Sequence, residues 1–198
     1  MAMGIAIMGM NGSGKSTLAH AWAKHTGAFE MDVEDYYFPQ QREARRQALE
    51  GEIPAITDDE IPFSRSETKE EVQAALLRDM QAHPDFVLAG VTMNWSEEIL
   101  ACIDAAFWVQ TPLQVRMERI RRREEMRFGG RVRPGGDMYE QQKEFREMVQ
   151  GRDEGIVGES AGRLHCPVIL LDGTKTIEEN LQKMREIVTG LCLSSGKK

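Results

Sequence analysis

Residues 9 to 16 read Gly-Met-Asn-Gly-Ser-Gly-Lys-Ser and match G-x-x-x-x-G-K-[ST] at every fixed position. No other feature constrains the fold as much. The pattern works only where a buried strand turns sharply into a helix. The apolar run Ile5 to Met8 supplies the strand, and Lys15 to His25 supplies the helix, with Gly27 as its stop signal. The glycines let backbone N–H groups turn inward around phosphate oxygens. The helix N-terminus adds partial positive charge. Gly9, Asn11, Gly12, Ser13, Gly14, Lys15, Ser16 and Thr17 are therefore candidate contacts for the phosphates of ATP. Lys15 would reach the β- and γ-phosphates, and Ser16 would ligate Mg²⁺. Thr17 is an adjacent hydroxyl without a required role.

Strand and helix patterns then alternate. Further strands are expected at Ala28 to Val33, Phe86 to Val91, Ala105 to Val109 and Val168 to Leu171. Helices are expected after the capping-box pairs Thr68/Glu71, Thr111/Gln114 and Thr176/Glu179, and at Met138 to Gly151. In the second of these, Pro112 takes the first helical position and Leu113, Met117 and Ile120 face inward. Shorter helices fit Arg42 to Leu49 and Ser96 to Cys102. Gly51 to Ser66 reads as a loop, and the final SSGKK as a frayed tail. Five such alternations give an α/β fold: a five-stranded parallel sheet with helices on both faces. Ligands of such sheets bind outside the carboxyl ends of the strands.

With 198 residues the chain fits one domain. A net charge of −7 argues against general nucleic-acid binding, which favours a basic surface. The three cysteines are far apart and form no CxxC pair, as expected of reduced thiols in a cytoplasmic protein. No apolar stretch approaches the roughly 18 residues of a membrane span.

Two clusters accompany the phosphate loop. Asp32, Glu34 and Asp35 crowd the carboxyl end of the second strand, beside Tyr36, Tyr37 and Phe38. One carboxylate would support Mg²⁺ through water and another would accept a proton from a substrate hydroxyl. The third strand ends Leu88-Ala89-Gly90-Val91, without the metal-supporting acid that many P-loop proteins carry there. The metal role therefore moves to Asp32, with Asp35 as base, and the two assignments are interchangeable at this stage. Arg116, Arg119, Arg123 and Arg127 are spaced by 3, 4 and 4 residues, which puts them on one helical face. The stretch 128 to 137 that follows holds four glycines and a proline and reads as a loop without a core of its own, carrying Arg131 and Arg133. Closing it over ATP would bring guanidinium groups onto the transferring phosphoryl.

Together these features resemble the P-loop small-molecule and nucleotide kinases, which include adenylate, uridine, shikimate and gluconate kinases. The resemblance covers nearly the whole chain. Within that group the chain is similar to bacterial adenylate-kinase-like proteins of unassigned substrate. The matching residues are Asp32-x-x-Asp35-Tyr36-Tyr37, Pro62-Phe63 with Arg65, Gly90 with Trp95, and Arg127-Phe128-Gly129 followed by Pro134-Gly135-Gly136-Asp137-Met138. The resemblance implies that Arg119 stacks on adenine and Arg123 contacts phosphate. It also implies that Gly173, Thr174 and Lys175, after the fifth strand, complete the adenine pocket. Asp35-x-x-Phe38 resembles the D-x-F-Y stretch of uridine kinases, whose aspartate is the base. The D-G-F-P-R stretch of adenylate kinases is replaced by Ala89-Gly90-Val91-Thr92, and the acid before glycine in uridine kinases is missing. Neither AMP nor uridine is therefore carried over as acceptor.

The expectation is an ATP- and Mg²⁺-dependent phosphotransferase acting on a small molecule. Lys15, Asp35, Arg123 and Arg127 would be catalytic, and Ser16 and Asp32 would hold the metal. Asp35, Tyr37, Arg65 and Trp95 would surround the acceptor. Residues 1–198 would form one domain, monomeric or homodimeric, with a substrate segment at about 36–66 and a lid at about 127–137. The rival reading is a nucleotide-dependent regulatory ATPase or switch that has no acceptor.

Overall fold

The central strand β1 (Gly4–Met8) is buried throughout, and its side chains sort by period two. Ile5 and Ile7 join the core on one face of the sheet, and Ala6 and Met8 join the core on the other. The computed structural model describes residues 2–52 and 65–194. Pro62, Phe63, most of the expected loop from Gly51 to Ser66, and residues 195–198 of the tail lie outside the described residues.

β1 pairs in parallel with β3 (Phe86–Gly90) on one side and with β4 (Ala105–Gln110) on the other. β2 (Phe29–Asp32) lies beyond β3, and β5 (Val168–Asp172) lies beyond β4. The order is β2-β3-β1-β4-β5, the expected five-stranded parallel sheet. Chain direction reverses its march across the sheet at β1, and that switch point is where a ligand crevice opens.

Helices cover both faces. Leu18 and Trp22 of α1 (Lys15–Thr26) pack on the Ile5/Ile7 face with Leu181 and Met184 of α9 (Ile177–Ser194). The other face receives Val72, Leu76 and Met80 of α4 (Lys69–Ala82) and Ile99 and Leu100 of α5 (Glu97–Leu100). The Thr68/Glu71 box forms at the start of α4, with the Thr68 N–H donating to Glu71 Oε2 at 2.9 Å. Thr176 and Glu179 make the same exchange before α9.

Several expectations need correction. The second strand stops at Asp32 rather than Val33, because Asp32 becomes a cap. Its Oδ1 accepts the Glu34 N–H at 2.9 Å and starts a short helix, α2 (Val33–Tyr37). A 3₁₀ turn (Pro39–Gln41) and α3 (Arg42–Leu49) follow. No capping box forms at Thr111. Pro112 stands at the N-cap, and the Thr111 hydroxyl instead donates to the Ser13 carbonyl at 3.1 Å. α6 (Leu113–Phe128) buries Met117 and Ile120 against Val149 of α7 (Tyr139–Gly151), but Leu113 is exposed.

The segment after α6 is not a plain loop. Gly129–Val132 form a 3₁₀ turn, and Phe128, Val132 and Met138 bury one another in a small cluster. Arg131 is paired with Asp137 at 2.6 Å, so its charge is met locally. α8 (Gly155–Ala161) has no counterpart in the sequence reading; its glycines hide a helix that packs Val157 into the core. Among the described residues no helix is long and apolar enough to cross a membrane.

Candidate active site

The phosphate loop is braced from below by α6. Gly12 and Gly14 take left-handed φ values of 78° and 98°, which only glycine adopts without cost. A Cβ on Gly12 would lie 2.6 Å from the Arg116 carbonyl oxygen, so backbone meets backbone there. Arg116 is 1% exposed. Its Nε donates to the Thr111 carbonyl at 3.0 Å, and its guanidinium also pairs with Glu154. Arg119 donates to the Ser13 carbonyl at 3.2 Å and to the Gly173 carbonyl at 2.9 Å, tying the phosphate loop to the turn after β5. The arginine stripe is therefore divided: Arg116 and Arg119 hold the loop, and Arg119, Arg123 and Arg127 line a cleft beside it.

Arg116→Met is expected to cost about 2 kcal/mol or more, because buried acceptors lose a charged donor. Urea denaturation measures it. A loss below about 0.5 kcal/mol would show that the brace carries little of the fold.

The cleft encloses about 310 Å³ between the phosphate loop, α3 and α6. Lys15, Ser16, Glu34, Arg45, Arg123 and Arg127 line it. Its cations crowd one another. Loss of solvent pulls the Lys15 pKa below its ordinary value; Arg123 and Arg45 push the same way, against Asp32 and Glu34. Arg127 is pushed down to about 10, first by burial and then by Arg123. A polyanion placed among them would relieve both strains, so the residues fit a nucleotide polyphosphate.

The carboxylates are gathered by a residue that the sequence did not single out. Arg45 of α3 donates to Asp32 Oδ2 at 2.8 Å and to Asp35 Oδ1 at 2.7 Å, and it also pairs with Asp35 Oδ2. Burial raises the Asp35 pKa, against the pull of Arg45. Asp35, expected beside the acceptor, lines neither the cleft nor a second cavity because Arg45 draws both its oxygens away, whereas Glu34 lines both. No group of three or more His, Cys, Asp or Glu that could hold a metal occurs among the described residues. That donor set would suit Mg²⁺ carried mainly by phosphate oxygens and water beside Ser16, since both Asp32 oxygens already accept, from the Glu34 N–H and from Arg45.

The second cavity, of about 420 Å³, opens over β2 and β3 on the other side of Lys15. Tyr37 and Trp95 line it, with ring centroids 6.5 Å apart. Arg65 is exposed and is not among its lining residues. Lys69, Asn94 and Arg152 are, and the sequence reading missed all three. Arg152 follows α7 and donates to Asn11 Oδ1 at 3.0 Å, which ties the end of that helix to the phosphate loop. Thr174 and Lys175 turn into local partners, Asp172 and Glu179, and line neither cavity.

Comparison with known proteins agrees with this geometry. The chain is 25% identical over 197 residues to the uncharacterized protein YqaC of Bacillus subtilis (strain 168), covering 96% of this chain and 99% of that one. Among solved structures, a gluconokinase from Sinorhizobium meliloti 1021 superposes with a TM-score of 0.50 at 19% identity, over 96% of this chain and 92% of that one. A shikimate kinase from Aquifex aeolicus matches with a TM-score of 0.48 at 18% identity, over 96% and 99%. At these identities the gluconokinase match shows a shared fold and nothing more. A family model described as AAA domain matches residues 5–147. That match takes in the phosphate loop, both carboxylates and the arginine helix, and the chain belongs to this family of P-loop proteins, with the fold of a small-molecule kinase.

Proposed function

We propose that the chain transfers the γ-phosphoryl group of ATP to a hydroxyl of a small molecule. One observation carries this reading. Lys15 and Glu34 line both the phosphate cleft and the second cavity, so a nucleotide in one would abut an acceptor in the other. Two such sites meeting at the phosphate-loop lysine serve a two-substrate transfer better than hydrolysis.

In this reading Asp35, freed from Arg45 and turned toward the second cavity, takes the proton of the acceptor hydroxyl, its raised pKa suiting it to that task. The acceptor oxygen bonds to the γ-phosphorus as the bond to the β–γ bridging oxygen breaks, and ADP leaves. Lys15, Arg123 and Arg127 meet the charge that spreads over the transferring oxygens. Arg119, which lines the cleft and donates to the Gly173 carbonyl, holds the adenine end. Mg²⁺, when bound, neutralises phosphate charge, with Ser16 and, through water, Asp32 on the protein side. Residues 127 to 137 act as a lid on the α6 end of the cleft.

The second reading, a nucleotide switch without acceptor, is favoured by the hold of Arg45 on both Asp32 and Asp35. ADP release separates the two. A phosphotransferase releases ADP slowly from ATP alone and about a hundredfold or more faster with a competent hydroxyl compound. Equal rates across nucleosides, nucleotides, sugars and hydroxy acids would favour the switch.

A further inference from the structure

Arg45 stands at the boundary between the phosphate cleft and the carboxylates. It lines the cleft with Lys15, Arg123 and Arg127, yet all three of its guanidinium nitrogens are engaged by Asp32 and Asp35. Ala48 and Leu49 line the cleft too, so α3 forms one of its walls and carries Arg45 on that wall. Asp35 is otherwise lightly held. Arg42 reaches its Oδ2 only from 3.8 Å and is itself exposed, and such a pair is worth little in water. Asp32 keeps a separate anchor, the Glu34 N–H on its Oδ1. The frame under Asp35 is fixed independently: the Tyr36 hydroxyl donates to Asp79 Oδ2 at 2.8 Å, which ties α2 to α4 whether or not Arg45 stays. The Asp35 side chain can therefore turn without the helix moving. A triphosphate entering the cleft changes the balance at Arg45. A guanidinium matches phosphate oxygens bidentately as well as it matches a carboxylate. Three linked phosphates also carry more negative charge than two aspartates.

We propose that Arg45 is a nucleotide-triggered positioning residue: it holds Asp35 away from the second cavity in the free protein and passes to the phosphate oxygens when ATP enters, which frees Asp35 for the acceptor. This rests on the phosphotransferase reading and adds an order to it. Nucleotide binds before acceptor, because the acceptor hydroxyl finds its partner only after the exchange. Once moved, Arg45 is a further cation beside the phosphates.

Carboxylate labelling of the whole protein tests this without an acceptor. A carbodiimide and an amine convert accessible carboxyls to amides, and mass spectrometry reads each site. Asp35 labelling is expected to rise about tenfold or more when a non-hydrolysable ATP analogue is added with Mg²⁺. Inorganic triphosphate should act likewise and adenosine should not, because phosphate oxygens are what draw Arg45. Asp79 reports whether α2 has come loose from α4, and its labelling should stay constant. In Arg45→Ala, with the fold checked by circular dichroism, Asp35 should label at the higher rate with or without the analogue. The parent protein's response decides the matter even if that variant does not fold. Asp35 labelling that ignores the analogue, rises equally with adenosine, or rises only together with Asp79 would overturn the proposal. So would a folded Arg45→Ala that keeps the parent's response to nucleotide. The phosphotransferase reading fails separately: nucleotide would release Asp35, yet no phosphorylated product would form from ATP.

Discussion

Lys15→Met is expected to lower phosphoryl transfer by about a thousandfold or more, while the thermal midpoint stays within about 3 °C of the parent. Lys15 is the point at which both cavities meet. Its ammonium is desolvated and sits near Arg123 and Arg45, so its charge is disfavoured in the free protein. The sign of the pH effect follows. A cation with a lowered folded-state pKa destabilises the fold at pH values below that pKa, and the penalty fades as pH rises through it. Removing the charge therefore costs the fold little. ATP phosphates bring negative charge and raise the pKa again, so nucleotide binding takes up a proton wherever free Lys15 is neutral. ATP affinity should weaken as pH rises through the lowered pKa, and this limb should be absent from Lys15→Met. Full turnover in the variant with an unchanged KM for ATP would remove the phosphate-loop reading altogether.

Asp35→Asn is expected to lower kcat by about 10²- to 10⁴-fold and to leave ATP affinity within about threefold. A base acts on the transition state and not on the bound nucleotide. Arg45 approaches both Asp35 oxygens and Asp35 lines neither cavity, so this role requires Arg45 to let the carboxylate turn toward the acceptor. The base must be ionised, so kcat should fall as pH falls through the Asp35 pKa. Burial places that fall above the ordinary aspartate value of about 3.9. The acid limb should vanish in Asp35→Asn. Asp32→Asn and Glu34→Gln are the comparisons. A larger loss from Asp32→Asn at saturating Mg²⁺ would exchange the two aspartates. A larger loss from Glu34→Gln would give the base role to the carboxylate that borders both cavities.

The phosphate loop was legible because each of its positions answers to one local requirement: glycines for left-handed turns, a lysine and a serine at a helix start. The strands were legible because β1, β3 and β4 are short apolar runs buried on both faces, between turn signals. Thr111 was misread for a physical reason. A hydroxyl three residues before Gln114 looks like a cap, but a carbonyl from the phosphate loop, 98 residues away in sequence, competes for it and wins. Arg116 was grouped with Arg119, Arg123 and Arg127 because spacing reports a helical face, whereas burial depends on what that face meets. Arg45 was invisible for the same reason. Among the charges of α3 nothing local marks it, and only the fold brings it onto Asp32 and Asp35. Lys69 and Arg152 reach the second cavity from the start of α4 and the end of α7, so their meeting is a property of topology alone. α8 was missed because Gly155 and Gly158 lower helix propensity, and packing of Val157 overrides it.

The central claim is that the phosphoryl group leaves ATP for an organic hydroxyl and not for water. Phosphorus-31 NMR of the protein with ATP, Mg²⁺ and a pool of nucleosides, nucleotides, sugars and hydroxy acids tests it most directly. The account predicts a phosphomonoester resonance that grows in step with ADP, requires the acceptor pool, and is absent with Lys15→Met. Growth of inorganic phosphate in step with ADP, at the same rate with and without the pool, would contradict it.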